Sequence, residues 1–343
     1  MISDIPSADD FLQASMDLLN LAWDATVELY LDRAQSGGTL SPDADPGDHY
    51  WRSAQPILTS SFTLIVQAIE FFLKGRICSV SPYLLLSGQS GGWPKNADQV
   101  DTSFSDYRSV DAQDLVRIHN SVCLPRLPAK FTNWYDMKRR ERNRAMHTVG
   151  GSNTLLDKDV IVAVLEASEH ILGRQSWVDA RLGYLRRTPS ERIREAWAPS
   201  EVANPETWIA YQLGAAQREI MSVIKYLDVG QGIRFFGFDT RKPCLICPRC
   251  LSLRGNEFFF ELKDLEQDLY LRTLQERPED PPNTASCIFC KSSVSTIHKM
   301  CPQCGDAIAE AHTGICLDCI DSLDCETDES MYGSHSTGTN RKG

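Results

Sequence analysis

Two groups of residues in this 343-residue chain carry side chains able to do chemistry together. The first is RRERNRAMH at 139–147, with four arginines, an asparagine and a histidine in nine positions. A guanidinium forks onto two phosphate oxygens, and an imidazole takes or gives a proton near neutral pH. That combination suits a phosphodiester. Of seven histidines, His147 is the one with an arginine five to seven positions before it: Arg142 is five back and Arg140 seven back. At about 100° per residue on a helix, Arg140, Asn143, Arg144 and His147 share a face. Arg142 falls off that face, so its side chain must reach around it or the helix must be irregular. The plainer alternative is a solvated basic helix face.

The second group is four C-x-x-C pairs: Cys247/Cys250, Cys287/Cys290, Cys301/Cys304 and Cys316/Cys319. Each such turn aims two thiolates at one point, so two pairs build one tetrahedral four-thiolate site. The spacing predicts two structural zinc sites with no open coordination position. A structural zinc contributes about 10–16 kcal/mol to folding a segment with little apolar core. Proline after the first ligand in both CPRC and CPQC favours Cys247/Cys250, with Cys244/Cys247 as the alternative. An interleaved pairing, first with third and second with fourth, stays open. Cys325 reads as a spare, and His298 and His312 as alternates that four thiolates make unnecessary. Cys78 and Cys123 read as small buried apolar residues.

Elements must hold these groups in place. Hydrophobic residues make up 42% of the chain and charged residues 24%, enough for a globular core. The formal charge of −11 excludes a global attraction to nucleic acid or anionic membrane. Any phosphate site is therefore a local patch, which Lys138, Arg139, Arg140 and Arg144 can supply. The opening MISDIPSADD lacks the pattern of a secretory signal. The apolar run at 57–75 is broken by polar residues, so a buried helix is expected there and no membrane span. Clustered thiolate ligands point to a reducing compartment, hence the cytoplasm.

Periodicity predicts helices over 8–35, about 54–75, near 111–121, about 130–148 and 156–172, with further helical pattern over 176–228. Ser7 is the expected N-cap of the first. Glu70 and Lys74, at i and i+4, read as a helix-surface ion pair worth about 0.3–0.5 kcal/mol. Helical character is also expected over EFFFELKDLEQDLYLRTLQE, between the first two cysteine pairs. The resulting plan is mainly α: a helical bundle over 1–175, a helical connector or extension over 176–240, a zinc module with an inserted helix over 241–295, a zinc ribbon over 296–325, and a disordered tail over 326–343. The zinc modules are expected to be small and β-rich.

Two long amphipathic helices, then QAIEFFLKGRI with its E-x-x-x-K spacing, then RNRAMH on a later helix: this combination resembles the HEPN superfamily of all-α bundles. Its R-x(4–6)-H motif maps onto Arg142, Asn143 and His147, while Arg140 satisfies a six-residue spacing equally well. The resemblance covers roughly residues 7–175. It implies a metal-independent endoribonuclease acting as a homodimer on RNA, with Arg142, Asn143 and His147 catalytic and Arg140 and Arg144 binding substrate. It also implies a toxin or antiviral defence role, and it would set Glu70 beside the motif helix as an orienting group. Nuclease-inactive HEPN scaffolds exist too, and in that reading the zinc ribbons recruit a protein partner. A zinc-ribbon nucleic-acid sensor with the bundle as dimeriser is the third reading.

Overall fold

The computed structural model describes residues 1–36, 46–87, 93–95, 97–147, 155–187, 205–247, 249, 250, 253, 270, 272–295, 299–300 and 307–308. Eight α-helices lie among them. Helix α1 (Ala8–Ser36) and helix α2 (Pro46–Cys78) run antiparallel. Phe11 meets Phe71 edge-on at 6.0 Å, Ser15 Oγ donates to the Ala68 carbonyl, and Tyr50 OH donates to the Leu29 carbonyl at 2.6 Å. At one crossing the backbones come close. A Cβ on Gly75 would sit 3.1 Å from Phe11 Cβ and 3.2 Å from the Ala8 carbonyl oxygen, so only glycine fits comfortably there.

Ser7 caps α1 as expected. Its Oγ accepts from the Asp10 N–H, and its own N–H donates to the Asp10 carboxylate, a reciprocal pair that satisfies two end groups. The Ser7 backbone N–H and then its hydroxyl hold the Asp10 carboxyl below its ordinary range. Helix α2 starts earlier than the predicted residue 54 and runs on past 75, with Pro56 inside it. Tertiary contacts explain the extension: Tyr50 bonds α1, and Arg33 stacks over the Trp51 ring at 4.8 Å. By length and composition alone α2 could cross a membrane. Its buried stripe of Leu58, Phe62, Ile65, Ile69 and Leu73 is instead covered by protein.

Around α2 sit helix α3 (Leu115–Val122), helix α4 (Ala129–His147) and helix α5 (Asp157–Leu172). Phe131 and Tyr135 of α4 enter the core. Trp134 Nε1 donates to Glu166 Oε2 of α5 at 2.8 Å. The predicted 176–228 stretch resolves into helix α6 (Trp177–Arg187) and helix α7 (Pro205–Tyr226), which extend the bundle rather than bridge away from it. Helix α8 (Val229–Phe236) follows. Asp228 and Gln231 form its capping box, and Gly237 ends it at φ 67°.

Arg181 of α6 is buried and ties three helices together. It donates to Glu219 of α7 at 3.0 and 3.2 Å, to Asn20 of α1 at 3.1 Å, and to Asp24 of α1. Trp23 Nε1 donates to the same Glu219. Burial lifts the Asp24 carboxyl above its ordinary range even against the pull of Arg181.

Strands are few. β1 (Ile2–Ser3) pairs in parallel with β2 (Thr102–Ser103). β3 (Leu274–Gln275), β4 (Thr284–Cys287) and β5 (Ser293–Ser295) form an antiparallel sheet in that order. Most of the predicted inserted helix, 257–269, lies outside the described residues, and at its far end Leu274 is in a strand: its backbone pairs with Leu245 on one side and Cys287 on the other. Farther on, β6 (Lys299–Met300) pairs with β7 (Ala307–Ile308), flanking the third cysteine pair. The tail lies outside the described residues.

Arg181→Met leaves two carboxylates against an apolar side chain. We expect a loss of about 3–5 kcal/mol in urea unfolding. Adding Asp24→Asn and Glu219→Gln should recover part of it.

Candidate functional site

Helix α4 carries its polar and apolar residues on different sides. Phe131, Tyr135, Lys138 and Arg142 follow 4-3-4 spacing and turn toward α2. Lys138 Nζ lies 5.5 Å from the Phe62 ring centroid, and Arg142 Nη1 lies 3.7 Å from Glu70 Oε1. The helix is regular throughout, so Arg142 does not reach around to the Arg140 face. It packs inward, its side chain 21% exposed, while the Arg140 side chain is 78% exposed. Asn143 and Arg144 are exposed. Arg142 Nε donates to Asn143 Oδ1 at 3.0 Å. His147 is the last residue of α4, and its side chain lies outside the described residues.

The expected Glu70–Lys74 surface pair is not what forms. Glu70 is buried on the α4 side of α2, and the cation within ion-pair distance is Arg142. Lys74 Nζ instead lies 3.5 Å from Ser109 Oγ and 6.0 Å from the Phe71 ring centroid. The reason is packing: α4 crosses α2 at Glu70, and a buried carboxylate takes the charge of the helix that covers it. Burial raises the Glu70 carboxyl above its ordinary range, opposed by the charges of Arg142, Lys74 and Arg139.

The basic patch largely neutralises itself. Lys138 pairs with Glu141 at 3.2 Å, Arg139 with Asp136 at 3.6 Å, and Arg140 with the same Asp136 at 3.3 Å. Three buried polar atoms of this seam make no hydrogen bond among the described residues: Glu70 Oε1, Tyr135 OH and Arg139 Nε. Tyr135 was not among the predicted site residues. Its hydroxyl is pushed far above the ordinary range by burial, then by Glu70. Its place in the 131, 135, 138, 142 stripe was the readable signal.

The second candidate site is a thiolate cluster. Cys247, Cys250, Cys287 and Cys290 bring all four Sγ atoms within 4.8 Å of one another. Cys247 lies 3.5 Å from Cys290, and Cys250 3.6 Å from Cys287. Metal–sulfur bonds of about 2.3 Å in a tetrahedron put sulfurs about 3.8 Å apart, so these four can hold a metal ion. The first pair thus joins the second, which excludes interleaving for this site and leaves Cys244 outside it. Each knuckle shows its turn chemistry. Cys250 N–H faces Cys247 Sγ at 3.5 Å, and Phe289 N–H faces Cys287 Sγ at 3.4 Å. Lys291, directly after Cys290, takes the left-handed conformation at φ 58° that glycine favours after a second ligand. Hydrogen bonds with Cys250 and Cys287 draw the Cys247 thiol down to about 7, while the bond with Cys247 pushes Cys250 up. Thr273 Oγ1 and Ser292 Oγ lie against Cys287 and Cys290, at 3.3 and 2.7 Å.

Cys301, Cys304, Cys316 and Cys319 lie outside the described residues, as do His298, His312 and Cys325. Cys78 and Cys123 are buried in the helical core, as expected, and donate to the Pro6 and Arg76 carbonyls. The cluster is fastened to the bundle. Asp239, just past α8, exchanges hydrogen bonds of 2.7 Å with the Gln275 side chain, and Lys291 pairs with Asp179 of α6 at 3.3 Å.

No family model, no curated protein and no solved structure matches this chain.

Two measurements check these sites. Cys250→Ser should lose one bound metal ion per chain in elemental analysis, and Cys244→Ser should lose none. A raised folded pKa means that ionising Glu70 opposes folding. Its favourable contribution is complete below the ordinary carboxyl range and is lost as pH rises through the raised value. Glu70→Gln should therefore match or exceed the parent protein in melting temperature near pH 7. That difference should vanish below about pH 4.

Proposed function

We propose that the chain is a HEPN-type, metal-independent endoribonuclease acting as a homodimer in the cytoplasm, with zinc serving structure alone. The observation that supports this best is the division of α4. One side docks on α2 through Tyr135, Lys138 and Arg142; the other offers Arg140, Asn143 and Arg144 to solvent near the end that bears His147. That outward side matches the face on which helix spacing sets His147. In an acidic chain it is a local cationic surface on the helix that ends at His147.

In this reading RNA supplies its own nucleophile. The 2′-oxygen attacks phosphorus and gives up its proton. The P–O5′ bond breaks, and the departing 5′-oxygen takes a proton. His147 serves one of these transfers. Guanidinium groups stabilise the charge on the phosphorane oxygens. The products are a 2′,3′-cyclic phosphate and a 5′-hydroxyl, and no redox partner or metal enters the step. Asn143 orients the imidazole or a phosphate oxygen. The Cys247, Cys250, Cys287 and Cys290 set holds zinc, whose preference for four thiolates suits it. Cys301, Cys304, Cys316 and Cys319 form the second zinc site of this reading. As a biological role we propose a toxin or antiviral defence effector.

End-labelled RNA incubated with the protein in EDTA tests the proposal. The expected result is cleavage to cyclic-phosphate and 5′-hydroxyl ends, slowed about 10²–10⁴-fold by His147→Ala. A folded, dimeric protein that cuts no RNA would instead support a nuclease-inactive scaffold whose zinc modules recruit a partner.

A further inference from the structure

Two arginines satisfy the spacing to His147, and the side chains around them differ. We infer that Arg140 and Arg144 are the residues of α4 that contact RNA phosphates, and that Arg142 is a positioning residue which pins α4 to the buried Glu70 and orients Asn143. This rests on the RNA-cleaving reading given above and names the contacts that reading needs.

Arg142 is already committed. Its Nη1 faces Glu70 Oε1 at 3.7 Å, and that oxygen, buried, has no hydrogen bond from the described residues. Its Nε donates to Asn143 Oδ1. Swinging the guanidinium out to a phosphate would strip a buried carboxylate of the one cation within ion-pair distance among the described residues, leaving only the longer-range charges of Lys74 and Arg139 to offset it. The neighbouring cations do not replace it. Lys74 is turned to Ser109, Arg139 to Asp136 and the Tyr135 ring, and Lys138 to Glu141 and the Phe62 ring.

Arg140 stands in the opposite situation. Its side chain is 78% exposed, and its partner Asp136 is 54% exposed and shared with Arg139. A solvent-exposed pair of this kind is held weakly, so a phosphate can displace the carboxylate. Arg144 is exposed as well. Four residues apart, the two sit one above the other on the helix and present two forks to successive phosphates of one strand.

Salt dependence separates the roles, because each phosphate contact to a single strand adds about 0.7 to the slope of log affinity against log salt. A fluorescein-labelled single-stranded RNA, titrated by anisotropy from low to moderate salt, is the probe, and melting temperature is read alongside. Arg140→Ala and Arg144→Ala should each flatten the slope by about 0.7, with the melting temperature unchanged. Arg142→Gln should lower the melting temperature. Arg142→Lys should largely restore it, and so should the Glu70→Gln/Arg142→Gln pair, which should keep the full slope. The inference is overturned if that pair melts like the parent protein yet loses slope, or if Arg140→Ala and Arg144→Ala bind like the parent protein. A parent protein that binds no RNA at any salt sinks the RNA reading and the phosphate contacts with it. The docking role of Arg142 then stands or falls on the melting temperatures of the Glu70 and Arg142 variants alone.

Discussion

Helix α2 is the wall against which most of the bundle is built. It is flanked by α1, α3, α4 and α5, so any polar residue it carries on a covered side needs a partner from the helix that covers it. Its apolar stripe meets this constraint by default. Glu70 meets it through Arg142, and thereby sets where α4 lies. One buried carboxylate so links the packing of the core to the cationic helix on its flank. The arrangement is a compromise: burial disfavours the charge that the pair requires, and nearby cations offset it only in part.

A comparable logic operates at the other side of α1. Arg181 brings a buried guanidinium to two carboxylates and an amide from α1 and α7, so the position of α6 is specified by charge as well as by apolar area. Helix α6 also supplies Asp179 to Lys291, one residue beyond the fourth cysteine of the thiolate cluster. The cluster's buried cysteines, with Leu274, Ala285, Ile288 and Phe289, are continuous with the helical core. A metal held there would brace the same body that carries α4.

The charge distribution follows from these placements. A chain of net charge −11 concentrates arginine on one helix, then pairs most of it with its own acids. On the outer side of α4, Arg140 and Arg144 stay exposed. The inner side spends its charge on holding the helix in place.

Much of this was legible before folding. Helix existence along 8–172 followed from 3-4 spacing, the Ser7 cap from its residue type, and the C-x-x-C pairs from the knuckle signature, because each depends on neighbours within one or two turns. Which pairs share a site stayed open in the sequence, and the fold brings Cys247/Cys250 to Cys287/Cys290. The short helix α8 was missed, although Asp228 and Gln231 spelled out its capping box. Other features depended on which elements meet. Glu70 read as a partner for Lys74 because i, i+4 spacing is visible in a sequence, whereas the crossing of α2 by α4 is not. Leu274 read as helix because its own run is helical in pattern, and pairing with Leu245 and Cys287 overrode that. The sequence by itself determined the residue types, the long helices of 8–172 and the C-x-x-C pairs. Tertiary structure alone decided which arginine turns inward, since burial is a property of the assembled helices and no local spacing encodes it.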